Sequence, residues 1–204
     1  MRGGFEIANL SIPELLLDLR KLDLRFRGHE ADLTVADLLL NGSDIQNKTT
    51  FSLLPNAVFN ILNCNVESRY FNLDRVMKVA DKAMKYVPAS NNSAPKTATT
   101  PADIPVVIQK GNINFNRIIT GNIDIKNTTS RISLAKNIFY LHNLRTNIFD
   151  GFAHGNIAVN LITMFLDIDI KGKNIDVDKA MRDACAMKDT LSGTAEFNAD
   201  ISLS

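Results

Sequence analysis

Tryptophan is absent from this chain of 204 residues, tyrosine occurs three times and cysteine twice. Each shortage closes a class of function. Without Trp and with so few Tyr, there is no platform on which successive nucleic-acid bases could stack. Lys plus Arg number 23 against 22 for Asp plus Glu, a net charge of +1. A polyphosphate partner demands a basic excess, so no nucleic-acid partner is expected. Two cysteines cannot staple a disulfide scaffold. Cys64 sits in a strand-like run and Cys185 on a helix-like face beside Ala184 and Ala186. Two small buried thiols are the favoured reading over a Cys64–Cys185 bridge. No run of 18 apolar residues exists, so no helix is expected to span a bilayer. No basic-then-apolar leader opens the chain. It enters a strand pattern almost at once and stops inside or just after another, which reads as a piece of a longer protein.

Catalytic signatures are missing as well. There is no G-x-S-x-G nucleophile elbow and no glycine-rich phosphate loop. His29, His142 and His154 stand in no HxH or HExxH arrangement, and metal ligation needs three or four converging groups. His142 and His154 read as turn residues. Asp167, Asp169, Asp176 and Asp178 could suggest a Ca²⁺ cluster, but Asp167 and Asp169 alternate with Leu166, Ile168 and Ile170 and read as the polar face of one strand. No catalytic residue, metal or cofactor is expected, and the chain is not expected to be an enzyme.

What is present is alternation. In "GNINFNRIITGNIDIK", Ile113, Phe115, Ile119, Ile123 and Ile125 fall on odd numbers, with Asn, Asp and Lys between them. Arg117 and Ile118 are the pair out of phase. A period of two marks a strand with one apolar and one wet face. The pattern continues through Ile132, Leu134, Ile157, Val159, Leu161, Leu166, Ile168 and Ile170. It ends with Ala195, Phe197, Ala199, Ile201 and Leu203. "KNTTS", "LHN" and "FDGFAHG" carry turn chemistry between the runs. Leu22, Leu24 and Phe26, then Leu33 and Val35, then Phe51 and Leu53 repeat the style in the first half. About seven strands are expected, paired antiparallel with one wet face. The expected fold class is mainly β with short helices (α+β), a curled meander sheet with an apolar inner face.

Between Pro88 and Pro105 the pattern stops. That stretch holds four of the six prolines and almost no large apolar residue, so it reads as a linker. The expected division is a β-rich half at 1–87, the linker at 88–105, and a second β half at 106–204. Each half holds one helical stretch, following Asp74 in "YFNLDRVMK" and Asp178 in "NIDVDKAMR". Val76, Met77 and Ala80, then Ala180, Met181 and Ala184, recur at helical spacing. The second helix is expected near 178–188. Asp74 and Asp178 are candidate N-caps, because a carboxylate accepts the free amides of a first turn. Aligning the two sets Val66 on Ile170, Phe71 on Ile175 and Met77 on Met181. An internal repeat is the favoured account, coincidence between two strand-to-helix junctions the other.

The residues from Ile104 to Ser204 resemble the C-terminal region of the AsmA-like family of bacterial envelope proteins. "IFDGFAHGNIAVN" (Ile148–Asn160) resembles the family's short hairpin. "IKGKNIDVDKAM" (Ile170–Met181) resembles its strand-to-helix element, and "LSGTAEFNADI" (Leu191–Ile201) the strand that follows. "VESRYFNLDRVMK" (Val66–Lys78) resembles the same junction in the first half. The resemblance implies a curled sheet with an apolar inner face, held at the inner membrane and facing the periplasm. It also implies a part in outer-membrane homeostasis and phospholipid transfer. The chain departs from full-length members in lacking an N-terminal membrane helix and in ending soon after the second junction. The residues expected to meet acyl chains are Ile113, Phe115, Ile123, Ile125, Ile132, Leu134, Ile157, Val159, Leu161, Phe197 and Ile201. Membrane attachment would come from parts outside this sequence. The alternative is that the same apolar faces close on one another, as in a scaffold or adhesin domain with no lipid ligand.

Overall fold

The computed structural model describes residues 2–53, 59–86, 104–187 and 191–203. Twelve strands form one mixed sheet. In chain order they are β1 (Arg2–Ile12), β2 (Leu17–Arg27), β3 (Glu30–Leu40), β4 (Ser43–Leu53), β5 (Phe59–Ser68), β6 (Phe71–Asn72), β7 (Val106–Thr120), β8 (Ile123–Ala135), β9 (Ile138–Ile148), β10 (Gly151–Asn160), β11 (Leu166–Asp176) and β12 (Thr194–Leu203). Among the described residues two α-helices interrupt them, α1 (Leu73–Tyr86) and α2 (Val177–Cys185). The mainly β class therefore holds, with twelve strands in place of the seven expected. Of the expected linker, residues 88–103 lie outside the described residues.

Nearest neighbours in sequence are nearest neighbours in the sheet, and ten of the pairings follow from that. Two-residue turns fold three of the hairpins tightly. Asn41–Gly42, Lys136–Asn137 and Phe149–Asp150 each have both residues at positive φ, the twist that matches right-handed strands. Purely antiparallel pairing was expected, and one seam departs from it. β5 and β6 both pair parallel to β7. Phe59 lies opposite Val106 and Phe71 opposite Ile118, the same offset, so β5 and β6 are one ladder broken at Arg69 and Tyr70. The chain reaches β7 only after passing through α1, and such a return brings the next strand back in the same direction.

Asp44 holds that break. Its carboxylate accepts the Tyr70 amide at 2.6 Å, the Arg69 amide at 3.1 Å and the Arg69 guanidinium at 3.1 Å. Ser43 is fully buried, and its hydroxyl accepts the Asn72 amide at 2.9 Å. The amides that the broken ladder leaves without partners are thus taken up by the first residues of β4.

"KNTTS" and "LHN" are strand interiors, not turns. Asn127, Asn143 and Asn174 lie inside β8, β9 and β11 at φ 51, 52 and 54, each beside a register shift. They are β-bulges, in which Asn tolerates the left-handed region better than most residues. Turns and bulges draw on the same residue chemistry, which is why the sequence confuses them. His142 and His154 accordingly lie in β9 and β10.

The caps also differ from expectation. The Arg75 amide donates to Asn72 Oδ1 at 2.9 Å and the Lys179 amide to Asp176 Oδ1 at 2.9 Å, so Asn72 and Asp176 close the helix starts. Asp74 and Asp178 sit in the first turns, where their charge suits the helix dipole. Asp74 instead accepts the Gly121 amide at 2.6 Å and the Thr120 hydroxyl at 3.1 Å, tying α1 to the β7–β8 turn. Asp178 pairs with Arg182 one turn on, at 3.1 Å. β5 and β11 run in one direction, so α1 and α2 leave the same end of the sheet. Among the described side chains of α1, Val79 is buried and Met77 is 53% exposed, and α2 buries no residue. Cys64 is buried while Cys185 is exposed; both are free thiols.

Candidate functional site: the apolar rows of the sheet

Residues directly opposite one another on neighbouring strands share a face. Following the register from edge to edge defines a row: Phe5, Leu24, Leu33, Thr49, Cys64, Gly111, Ile132, Leu141, Ile157, Ile168 and Ile201. A second row on the same face runs Gly3, Phe26, Ala31, Phe51, Ile61, Ile108, Leu134, Phe139, Val159, Leu166 and Leu203. Flanking the first row on its other side, and on the opposite face, lie Glu6, Asp23, Thr34, Lys48, Asn65, Asn112, Arg131 and His142. At about 4.8 Å per strand, each eleven-residue row is about 48 Å wide.

The two apolar rows contain Ile132, Leu134, Ile157, Val159 and Ile201 of the expected lining. Ile113 and Phe115 share their face, lying two and four residues beyond Gly111 on β7. Phe197 lies opposite Gly172, where a side chain on Gly172 would collide with the Phe197 ring. Ile118, the out-of-phase residue, lies opposite both Phe71 and Ile125. The Phe71 ring stacks on Phe115 with centroids 5.1 Å apart, which brings Ile123 and Ile125 to the same side. Leu161 is the exception. It follows β10 in a turn, its amide bonded to the Asn137 carbonyl. Of the first-half residues of these rows, Leu24, Phe26, Leu33 and Phe51 were read from sequence as strand residues but not as lining, and Phe5 and Ile61 were not singled out. Their alternation is visible, but bulges in β2, β3 and β5 break its phase.

Coverage of the apolar side chains, in these rows and beside them, is uneven. Ile132, Leu134, Leu144, Ala153 and Ile175 are buried. Ile113, Ile157 and Ile168 are half-buried, and Phe5, Phe26, Phe197 and Ile201 are exposed. Total accessible surface is 13706 Å², against roughly 9,500 Å² for a compact globule of this mass. The sheet is open, so its outer strands leave apolar side chains in solvent.

Charge keeps to the other face and to the strand ends. Arg117 grips Asp124 at 2.9 Å, and that hydrogen bond and charge raise the guanidinium's pKa. Lys179 bonds Asp150 at 2.7 Å, and the bond lowers the Asp150 carboxyl below its ordinary range. Asp167 and Asp169 point from β11 with the wet residues; Ser202 bonds Asp167 at 2.9 Å and Asp169 lies opposite Asp200. Among the described residues no group of three or more His, Cys, Asp or Glu converges to hold a metal ion. Nε2 of His142 is 2.9 Å from the Ser133 hydroxyl, while Nδ1 of His154 is buried without a partner. Recesses of about 570 Å³ beside Lys21, Arg27 and Lys48, and about 370 Å³ beside Asp124, Asp150 and Lys179, lie among these charges. Among the described residues no helix is long and apolar enough to cross a membrane.

The fold therefore defines a mainly β protein built on one open, mixed sheet of twelve strands. Compared with protein-family models, curated proteins and solved structures, the chain matches none.

Proposed function

We propose that this chain is a non-enzymatic segment of an AsmA-like envelope protein that handles phospholipid. In this reading the apolar rows form the inner face of a curled sheet and hold acyl chains, while the polar rows face the periplasm. The whole protein is held at the inner membrane by parts outside this sequence and serves outer-membrane homeostasis. The carrying observation is the pair of eleven-strand apolar rows whose side chains are only partly covered by protein. Transfer of a tail of about 14 methylenes out of water is worth about 11 kcal/mol. A bilayer offers the tail nearly the same, so an open apolar face can take up a lipid and release it without a catalyst. Support for a sheet built twice comes from the helix starts, since Asn72 and Asp176 stand in the same alignment as Asp74 and Asp178.

The competing reading, a closed structural or adhesive domain, draws on the buried cluster of Ile132, Leu134 and Leu144. Native mass spectrometry with organic extraction, on protein purified without detergent, separates the two. Bound phospholipid at a defined ratio supports the groove. A lipid-free protein that melts cooperatively overturns it.

A further inference from the structure

We propose that the wet face of β9, β10 and β11 holds a phosphomonoester, with Arg145, His154 and Lys171 as the donors to its phosphate. The register sets these three side by side, His154 lying opposite Arg145 on one neighbour and Lys171 on the other. The next row along carries Lys126, Asn147, Phe152 and Lys173. Strands about 4.8 Å apart spread the three donors over about 10 Å, a span that Arg and Lys side chains close onto one ion. Charge here is uncompensated. Elsewhere on the sheet Glu6 takes up Lys21, Asp23 takes up Arg25, Asp124 takes up Arg117 and Asp150 takes up Lys179. Among the described residues Arg145, Lys171 and Lys173 make no ion pair or side-chain hydrogen bond, and all three are exposed. Asp169, Glu196 and Asp200 share the face but pair with none of them.

His154 is held in place between the two cations. Its ring stacks on Phe152 with centroids 5.5 Å and planes 15° apart, and its Nδ1 is buried without a partner. A ring nitrogen with no acceptor in reach keeps a bare lone pair, so the proton of the neutral ring is assigned to Nε2. Nε2 is then a donor on the same side as the two cations. Three unlike donors suit a tetrahedral ion. The guanidinium presents paired N–H groups to two oxygens, the ammonium brings a point charge to a third, and the imidazole adds a neutral donor. A carboxylate, with two oxygens in one plane, leaves one of them idle. All three donors stand on strands, so their spacing is fixed before a ligand arrives. The recess of about 370 Å³ whose lining includes Lys126, Asn147 and Phe152 adjoins His154 through Phe152. It gives room for the group esterified to the phosphate, whether a soluble phosphomonoester or the headgroup of phosphatidic acid at a membrane surface. This face is opposite the apolar rows, so the site stands whether or not those rows hold acyl chains.

Amide NMR shifts during titration with inorganic phosphate and with glycerol phosphate test this. Wild type is expected to show saturable shifts confined to β9, β10 and β11 that shrink at high salt. R145Q/K171Q should weaken binding at least about tenfold, and H154Q and K173Q by less. K21Q/K48Q, which removes the same charge from the wet face of β2 and β4, should bind as wild type does. The absence of saturable shifts overturns the proposal. Equal losses in K21Q/K48Q and R145Q/K171Q overturn it in favour of general attraction to charge. Flotation with phosphatidylcholine vesicles, with and without phosphatidic acid, separates the two sources. Binding that needs phosphatidic acid and is lost in R145Q/K171Q places the site at a membrane surface, whereas glycerol phosphate binding without flotation assigns it to a soluble phosphomonoester. Lipid copurification, the readout for the apolar rows, should be the same in R145Q/K171Q as in wild type, so the two readings fail separately. Cooperative melting of each variant is the folding control; if R145Q/K171Q fails it, R145Q and K171Q singly replace it.

Discussion

Replacing Asp44 should show what a broken β-ladder costs to hold together. Burial opposes ionisation of this carboxyl more than any other single influence, yet the Arg69 and Tyr70 amides and the Arg69 guanidinium outweigh it, so its pKa lies below the usual 3.8. The side chain is 10% exposed. A hydrogen bond to a charged group contributes about 1.5–3 kcal/mol. Asp44→Ala removes two such bonds to amides, and water can reach the Arg69 side, whose side chain is 78% exposed. The expected loss is about 2–4 kcal/mol, and about 1–2 for Asp44→Asn, which keeps one acceptor but not the charge. The assay is urea unfolding followed by circular dichroism at pH 7 and near pH 2.5. A carboxyl with a lowered folded pKa stabilises above its unfolded value of 3.8, and that stabilisation disappears as pH falls through the folded value. The gap between wild type and Asp44→Asn should therefore shrink in acid. Equal gaps at both pH values, or an Asp44→Ala loss under about 0.5 kcal/mol, would refute the reasoning.

Other substitutions test separate parts of the fold. Asn143→Val forces a β-branched residue to φ 52 and should cost about 1–2 kcal/mol, whereas Asn143→Gly should be near neutral in the same melt. Asp176→Ala should cost about 1 kcal/mol through loss of the cap, and Asp178→Ala less, a ranking that identifies the true cap by thermal unfolding. Gly111→Val should cost about 1–3 kcal/mol, because its side chain would enter the space of Ile132. Val159→Asp should leave a folded protein that no longer copurifies with lipid if the face is a groove. The same change should unfold a closed core by burying an unpaired charge.

Alternation, hairpin chemistry and helical spacing are local properties, and they were legible wherever the backbone stayed regular. The period of two from Ile123 to Ile125 and from Ala195 to Leu203 identified real strands, and Asp74 and Asp178 marked real helix starts within two residues. What sequence could not supply was pairing. An Asn at positive φ looks the same in a turn and in a bulge, and only the partner strand shows that Asn127 and Asn143 keep the chain extended. The true caps were hidden because Asn72 and Asp176 still lie in strands, and a cap is defined by where the ladder lets go. The parallel seam between β5 and β7 depends on the route the chain takes after α1, which no short-range pattern records. The apolar rows were half visible for the same reason. Each strand shows its own stripe, but a bulge shifts its phase by one residue, and only cross-strand register restores Phe5, Cys64, Ile132 and Ile201 to a single line. Sequence by itself determined which side of each strand avoids water; tertiary structure decided how those sides align, because register is a property of two strands and never of one.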